Sequence, residues 1–162
     1  MKGASIALFV TFAVLPMASL ADGTTSGMTM TPNQLTWQPV PDALPAGGMA
    51  VVLYGNPGES GPFAIRLKAP ANYRVAPHSH PTAEYVTVIS GTLNLGMGEV
   101  ANPGKSVALP AGSVAALPAD HNHYVWTQED TVLDVHSMGP FAIKYVDPAD
   151  DPRKQTAERK TE

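Results

Sequence analysis

From residue 49 to residue 146 the chain is a series of short apolar runs separated by glycine and proline. The 162 residues include 14 glycines and 16 prolines, and turn sequences such as Asn56-Pro57-Gly58 and Asn102-Pro103-Gly104 stand between the runs. No interior segment keeps the 3.6-residue period of an amphipathic helix. Many short strands bounded by turn formers favour an antiparallel barrel or sandwich. The predicted strands are 51–54, 63–69, 73–76, 84–90, 92–97, 106–109, 114–117, 123–127, 131–137 and 141–146.

Two histidines and a carboxylate stand close together in the middle of this region. His78 and His80 are followed by Glu84 and then by Gly91, which permits a tight turn between two predicted strands. Alternate side chains of a strand share a face and stand about 6.6 Å apart along it, so the two histidines can face one ion. Imidazole suits zinc, copper, iron and nickel, and an added carboxylate favours a hard or borderline divalent metal.

The chain has five histidines, and all of them fall within residues 78–136. They are His78, His80, His121, His123 and His136. Histidines on an unspecialised surface would scatter along the chain, so this confinement favours a single shared site. The sequence therefore predicts one divalent transition metal, drawn from iron, manganese, nickel, copper and zinc.

The spacing of His78, His80, Glu84 and Gly91 resembles the first cupin motif, G-x5-HxH-x3,4-E-x6-G, with Asn72 in place of the opening glycine. The resemblance covers roughly residues 50–145. The closing segment, residues 139–153, also resembles that of a group of small bacterial cupins.

The second cupin motif, G-x5-PxG-x2-H-x3-N, fits this sequence in two registers. A register that begins at Gly104 places Ala115 where the histidine is required. A register that begins at Gly112 places His123 there, with Asp120 in a glycine position and Thr127 in place of asparagine. We take the second register because it supplies a metal ligand, and because aspartate tolerates turn conformations.

The resemblance to the cupins implies an all-β fold with a single antiparallel β-barrel, or jelly roll. It also implies a metal held by three histidines and one glutamate. The expected ligands are His78, His80, Glu84 and His123. For His121 three roles stay open: a residue that contacts a ligand without binding the metal, a residue at the rim of the site, or an alternative ligand. Small cupins often form homodimers by sheet extension, so a homodimer is a possible assembly here.

His136 and Arg66 each have two alternative interpretations. His136 lies in an apolar run, which favours either a core histidine satisfied by a hydrogen bond or an acid–base group near the metal. Asp134 shares its face and could hold the His136 tautomer. Arg66 alternates with Ile65 and Leu67, which predicts an outward polar face; the alternative is an inward guanidinium that meets a substrate carboxylate.

The N-terminus has the pattern of a secretory signal peptide. Lys2 precedes an apolar segment at 6–15, which is too short to span a bilayer, and Ser19 and Ala21 are small residues in the cleavage positions. The predicted organisation is a signal peptide at 1–21, a leader and packing arm at 22–48, a cupin barrel at 49–146 and a charged tail at 147–162. The expected location is the periplasm or the exterior of the cell.

Charge and cysteine content exclude several classes of function. The chain has 10 lysines and arginines against 14 aspartates and glutamates, for a net charge of −4. This balance, without a basic block, gives no reason to expect a nucleic-acid partner. The chain has no cysteine, which excludes disulfides, zinc–thiolate sites and cysteine nucleophiles. No segment after the signal peptide is apolar enough to predict a membrane span.

The predicted ligand set determines the expected function. Four protein ligands leave two positions of an octahedral ion for a bidentate substrate, or for a substrate and dioxygen. The resemblance therefore implies an exported metalloenzyme that acts on a small organic molecule, with dioxygenase chemistry first and isomerase or lyase chemistry next. The alternative is a non-catalytic module that binds or senses a ligand through its metal, because no acid or base outside the cluster is clearly assigned to catalysis.

Overall fold

A computed structural model describes residues 27–154 of the chain. The predicted signal peptide, residues 1–21, lies outside the described residues, as do the first residues of the leader and the end of the tail. Strands account for most of the regular structure, with short 3₁₀ turns before the first strand, between β6 and β7, and after the last strand. Across residues 27–154, no helix is long and apolar enough to cross a membrane.

The described part of the chain forms eleven strands. They are β1 (Gln38–Pro39), β2 (Met49–Tyr54), β3 (Gly61–Ala69), β4 (Arg74–Ser79), β5 (Glu84–Ser90), β6 (Thr92–Met97), β7 (Val107–Pro110), β8 (Val114–Leu117), β9 (His123–Thr127), β10 (Thr131–Gly139) and β11 (Lys144–Tyr145).

The strands form two antiparallel sheets. One has the order β1-β2-β3-β10-β5-β8 and the other has the order β11-β4-β9-β6-β7. Side chains alternate between the faces of each strand, so the inward residues of the two sheets meet in one core. The centre of that core is an aliphatic cluster of Val86, Val88, Leu93, Leu133 and Val135. The prediction of an all-β fold with a single antiparallel barrel is confirmed.

Strands with turn formers at both ends begin and end where the sequence predicts. This holds for β5, β6, β8 and β9. The last predicted strand, 141–146, is shorter in the structure, where only Lys144–Tyr145 pairs with β4. The residues before it leave the sheet because the backbone N–H of Phe141 donates to Pro57 O at 2.7 Å.

The outer face of the larger sheet carries an ion pair between neighbouring strands. Asp134 of β10 lies opposite Arg66 of β3, and the guanidinium donates from Nε and NH2 to the two carboxylate oxygens at 2.6 and 2.8 Å. Arg66 therefore faces outward, as its alternation with Ile65 and Leu67 predicts. His136 is exposed on the same face, so its prediction as a core histidine is wrong, and Asp134 binds Arg66 instead of fixing the His136 tautomer.

A segment at residues 40–48, between β1 and β2, packs against the smaller sheet. The Tyr145 hydroxyl donates to Ala43 O at 2.8 Å, and the Tyr73 hydroxyl donates to Pro45 O. Burial and, after it, the charge of Asp151 raise the pKa of Tyr145 to about 12, and burial raises the pKa of Tyr73. Both phenols therefore keep the protons that hold this segment in place.

The turn between β5 and β6 requires glycine for two reasons, and this gives a testable prediction. Gly91 has φ of 72°, a left-handed conformation that costs a residue with a Cβ roughly 1–2 kcal/mol. A Cβ at this position would also lie 2.5 Å from Asp130 O and 2.9 Å from Thr131 Cα. We expect Gly91→Ala to lower the free energy of unfolding, measured in urea, by at least about 2 kcal/mol.

Gly112 provides the matched control, because its φ is 88° but a Cβ there would meet no atom within 4 Å. Gly112→Ala should therefore show the cost of the left-handed conformation alone. Equal losses in the two variants would contradict the steric part of this explanation.

Candidate metal centre

Three strands from both sheets bring the predicted ligands to one end of the barrel interior. His78 of β4 lies directly opposite His123, the first residue of β9, in the smaller sheet. His80 follows the end of β4, and its backbone carbonyl accepts from the Asp120 N–H at 2.8 Å. Glu84 is the first residue of β5 in the larger sheet. The site therefore depends on the packing of one sheet against the other.

The three imidazoles form a compact, buried group. The ring centroids of His78 and His123 are 4.3 Å apart, those of His78 and His80 are 5.0 Å apart, and those of His80 and His123 are 5.2 Å apart. One potential ligand atom from each ring lies within 4.8 Å of the others, so these three residues could hold a metal ion.

Glu84 adds a carboxylate to this group. Its Oε2 lies 3.4 Å from His80 Nε2 and 3.3 Å from His123 Nε2. All four side chains predicted as ligands are thus brought together by the structure. That they bind an ion stays a prediction.

Backbone carbonyls determine which nitrogen of each ring faces the centre. The Nδ1 atoms of His78, His80 and His123 contact the carbonyl oxygens of Ala76, Ala142 and His121 at 2.7, 2.9 and 3.0 Å. A carbonyl oxygen only accepts, so each Nδ1 must carry the proton and each neutral ring keeps its lone pair on Nε2. Metal-binding histidines usually have their other N–H engaged in this way.

One potential ligand atom at the centre lacks a hydrogen-bond partner from the protein. Among residues 27–154, His80 Nε2 is the one buried side-chain nitrogen or oxygen without a hydrogen-bond partner. It lies near Glu84 Oε2 without hydrogen-bond geometry, and two lone pairs at that distance repel each other. A cation between them would satisfy both atoms, so the residues present fit a divalent metal.

The charges of the site point in the same direction. Burial, reinforced by the neighbouring His123, lowers the pKa of His78 to about 3, so this ring is neutral and able to bind a metal near pH 7. Burial by itself raises the pKa of Glu84, but hydrogen bonds and positive charge from His123 and His80, when these rings carry a proton on Nε2, lower the pKa to about 2. The cluster therefore presents an ionised carboxylate beside a neutral imidazole, which suits a cation.

The structure also explains the departures from the cupin motifs. Asn72 and Asp120, which replace glycines, are the non-glycine residues with positive φ in the described chain, at 63° and 59°. Asn and Asp are the side chains that tolerate this conformation best. Thr127, which replaces the asparagine, is buried and its hydroxyl donates to Pro70 O at 2.6 Å while accepting from the Tyr73 N–H at 3.1 Å.

His121 does not join the cluster. Its side chain is exposed, and its Nδ1 lies 3.3 Å from Ala119 O. Its backbone carbonyl nevertheless contributes, because it accepts the Nδ1–H of His123. The structure therefore places His123, and not His121, with His78 and His80, in agreement with the register that begins at Gly112.

The cluster lines a largely apolar cavity of about 90 Å³ inside the barrel. This cavity also reaches Thr127, at the other end of β9, and the segment at residues 40–48 through Val40 and Leu44. Most of the remaining lining is aliphatic or aromatic: Ile65, Leu67, Val75, Val86, Leu93, Leu117, Val125, Leu133, Val135, Phe141 and Ile143. A group bound at the centre would therefore be shielded from water.

Sequence reasoning missed the contribution of the segment that follows β10. The ring of Phe141 stacks on His80, with centroids 4.3 Å apart and planes 15° from parallel, and the next carbonyl, of Ala142, accepts from the same imidazole. Tyr145 lies beside His78, with ring centroids 5.8 Å apart. Aromatic residues in the closing segment were the available signal, but the sequence does not show that they fold back over the site.

Two packed antiparallel sheets with a buried histidine cluster between them define a cupin barrel that could hold one metal. Residues 25–142 match the sequence profile of the ChrR cupin-like domain, and the chain belongs to this family. No curated protein matches the chain.

Solved structures show the same fold at low identity. The polyketide cyclase RemF from Streptomyces resistomycificus aligns with a TM-score of 0.67 at 15% identity, over 82% of this chain and 94% of that one. A protein from Methylibium petroleiphilum, provisionally named an acetylacetone dioxygenase, aligns with a TM-score of 0.61 at 18% identity, over the same shares of the two chains. KdgF from Halomonas aligns with a TM-score of 0.55 at 19% identity, over 70% and 96%. These similarities establish the fold alone.

The positions of the two neighbouring histidines predict different effects on metal affinity. His123→Ala removes a donor from the centre and should weaken metal binding by more than about 100-fold, the upper range for loss of an outer partner. His121→Ala keeps the backbone carbonyl that orients His123 and should change affinity by only a few-fold. Competition with a chromophoric chelator measures both. A larger loss in His121→Ala would show that the register is wrong.

The low pKa values of the cluster predict how acid affects the metal-free fold. The His78 pKa is about 3 in the folded state against 6.5 ordinarily, so the unfolded chain binds protons first as the pH falls. Glu84 acts in the same direction between 4.5 and about 2. Stability should therefore be highest above pH 6.5 and decrease towards pH 3.

Urea unfolding of chelator-treated protein at pH 7 and pH 5 measures this effect. His78→Asn should reduce the loss on acidification, whereas His121→Asn, at an exposed position, should leave it unchanged. Greater stability at pH 5 than at pH 7 would contradict the assignment.

Proposed function

We propose that this protein is an exported metal-dependent enzyme that acts on a small organic molecule inside its barrel. The proposed ligands of one divalent transition metal are His78, His80, Glu84 and His123. The observation that carries the proposal is the convergence of three imidazoles and a carboxylate on the wall of an apolar cavity, with His80 Nε2 left without a hydrogen-bond partner. A site needed only for stability would have no use for this adjoining space.

The cavity supports a small, mainly apolar substrate. Its volume of about 90 Å³ is below the roughly 150 Å³ of an engineered protein cavity that admits benzene. Lys68 is its one lining residue with a cationic side chain among the described residues, and its Nζ lies 4.0 Å from the Trp37 ring centroid. The cavity wall thus offers little to neutralise a multiply charged anion.

The bound metal would supply Lewis-acid or redox chemistry at its open positions. The protein would orient the substrate against the aliphatic wall, exclude water, and keep the three imidazoles in the Nδ1–H tautomer. Glu84 is the one carboxylate at the centre, and its pKa of about 2 keeps it ionised and suited to holding the metal. A group of this pKa is a weak base near pH 7, so activation of the substrate would depend mainly on the metal. We favour a dioxygenase reaction, with isomerase or lyase chemistry next. The names of two structural neighbours, a polyketide cyclase and a provisional acetylacetone dioxygenase, are consistent with this class of substrate.

One observation favours the alternative of a non-catalytic ligand-binding or sensing module. Apart from the cluster, the cavity-lining residues with acid–base side chains are Lys68 and Tyr73. Lys68 contacts the Trp37 ring, and the Tyr73 hydroxyl donates a hydrogen bond to Pro45 O. Neither is free to transfer a proton to a ligand, so the site would depend on Glu84 and the metal.

Metal analysis followed by oxygen-uptake measurements separates these functions. We expect about one metal per chain and oxygen consumption with a member of a panel of small diketones and catechols. His78→Ala/His80→Ala should lose both, because two remaining ligands rarely retain a divalent ion against water. A metal-loaded protein that binds a panel compound without converting it would be a binding module.

Export is a separate part of the proposal and is supported by the sequence pattern at residues 1–21. The mature protein recovered from its native envelope should begin at or near Asp22 when it is measured by mass spectrometry. Recovery of the full-length chain from the cytoplasm would contradict export.

A further inference from the structure

One aromatic ring that contacts a proposed metal ligand comes from the segment after β10. Phe141 stacks on the His80 imidazole with ring centroids 4.3 Å apart. On its other side it meets Phe63 edge-on, with centroids 5.1 Å apart and an interplanar angle of 64°. Phe63 is only 2% exposed, so Phe141 is held between a predicted ligand and a rigid part of the core.

The backbone around Phe141 is fixed as well. Its N–H donates to Pro57 O at 2.7 Å, and the following carbonyl, of Ala142, accepts from His80 Nδ1 at 2.9 Å. A ring held by stacking and by backbone hydrogen bonds on both sides cannot move away from the cavity without disturbing His80. Its position is therefore a fixed boundary of the space beside the metal.

Phe141 also lines the cavity into which His80 faces. That cavity, at about 90 Å³, is smaller than the engineered protein cavity of about 150 Å³ that admits benzene. A ligand with a phenyl group at this place would overlap the Phe141 ring, whereas a methyl group would fit.

We propose that Phe141 is a specificity-determining residue, which limits molecules bound at the metal to those with a small aliphatic body. This inference rests on the proposed metal site and adds to it the residue that selects ligand size. Removal of the Phe141 ring would leave an apolar space of the shape of a phenyl group. The preference should therefore change from ligands with a small aliphatic group to ligands with a phenyl group, and not merely disappear.

Two hydroxamates test this inference with cobalt(II)-loaded protein. Acetohydroxamate and benzohydroxamate chelate a metal through the same two oxygens but carry a methyl and a phenyl group. Binding is followed by the change in the visible absorption of cobalt, so no turnover is needed. The wild-type protein should bind acetohydroxamate more tightly by about 10-fold or more, and Phe141→Ala should reverse this order.

Two variants keep the test decisive. Phe141→Leu retains apolar bulk next to His80 and should show an intermediate ratio of the two affinities, even if Phe141→Ala folds poorly. Tyr85→Ala removes an aromatic ring that is 54% exposed on the outer face and should leave the wild-type ratio unchanged.

The possible failures are distinguishable. If cobalt is retained and both hydroxamates weaken equally in Phe141→Ala and Phe141→Leu, Phe141 only supports the fold and this inference is wrong. A wild-type protein that binds no cobalt would overturn the metal site itself, and this inference with it.

Discussion

Three hydrogen bonds from imidazole Nδ1 atoms to backbone carbonyls determine the chemistry of this protein. They oblige His78, His80 and His123 to direct the lone pairs of their Nε2 atoms to one point. The carbonyl for His78 comes from its own strand and that for His123 from the turn before β9, but the carbonyl for His80 comes from Ala142, 62 residues away. The tautomer of His80 is therefore a property of the folded barrel, whereas carbonyls two residues away fix those of His78 and His123.

Burial makes this arrangement costly unless a cation balances it. Glu84 is readily ionised only when positive charge lies beside it: protons on Nε2 of His123 and His80 lower its pKa to about 2, and without them a metal ion must take that role, since the surrounding wall is aliphatic. A carboxylate and several lone pairs in such a place repel one another and have lost their water. The same features that make the empty cluster unfavourable make it selective for a positive ion that accepts nitrogen and oxygen donors.

The sequence contains most of the information about the fold, because glycine and proline mark the ends of the strands and the His78–Glu84 spacing marks the metal cluster. The choice between His121 and His123 could also be made from the second motif, although Asp120 stands in place of one of its glycines. Contacts between distant strands could not be predicted. Arg66 and Asp134 are 68 residues apart, and only the register of β3 with β10 shows that Asp134 binds Arg66. His136 was misread for the same reason: an apolar run does not show which of its faces is covered.

The anchoring of His80 by Ala142 has a thermodynamic consequence for the end of the chain. An ion bound at His80 prefers the state in which the segment after β10 is docked, because only that state fixes the imidazole. By linkage, docking and binding must then favour each other to the same extent. Loading the centre would consequently slow hydrogen exchange at the amides of Phe141 and Val146, whose N–H groups bond Pro57 O and Pro77 O. Docking of the segment after β10 and occupancy of the metal site would then be coupled parts of a single equilibrium.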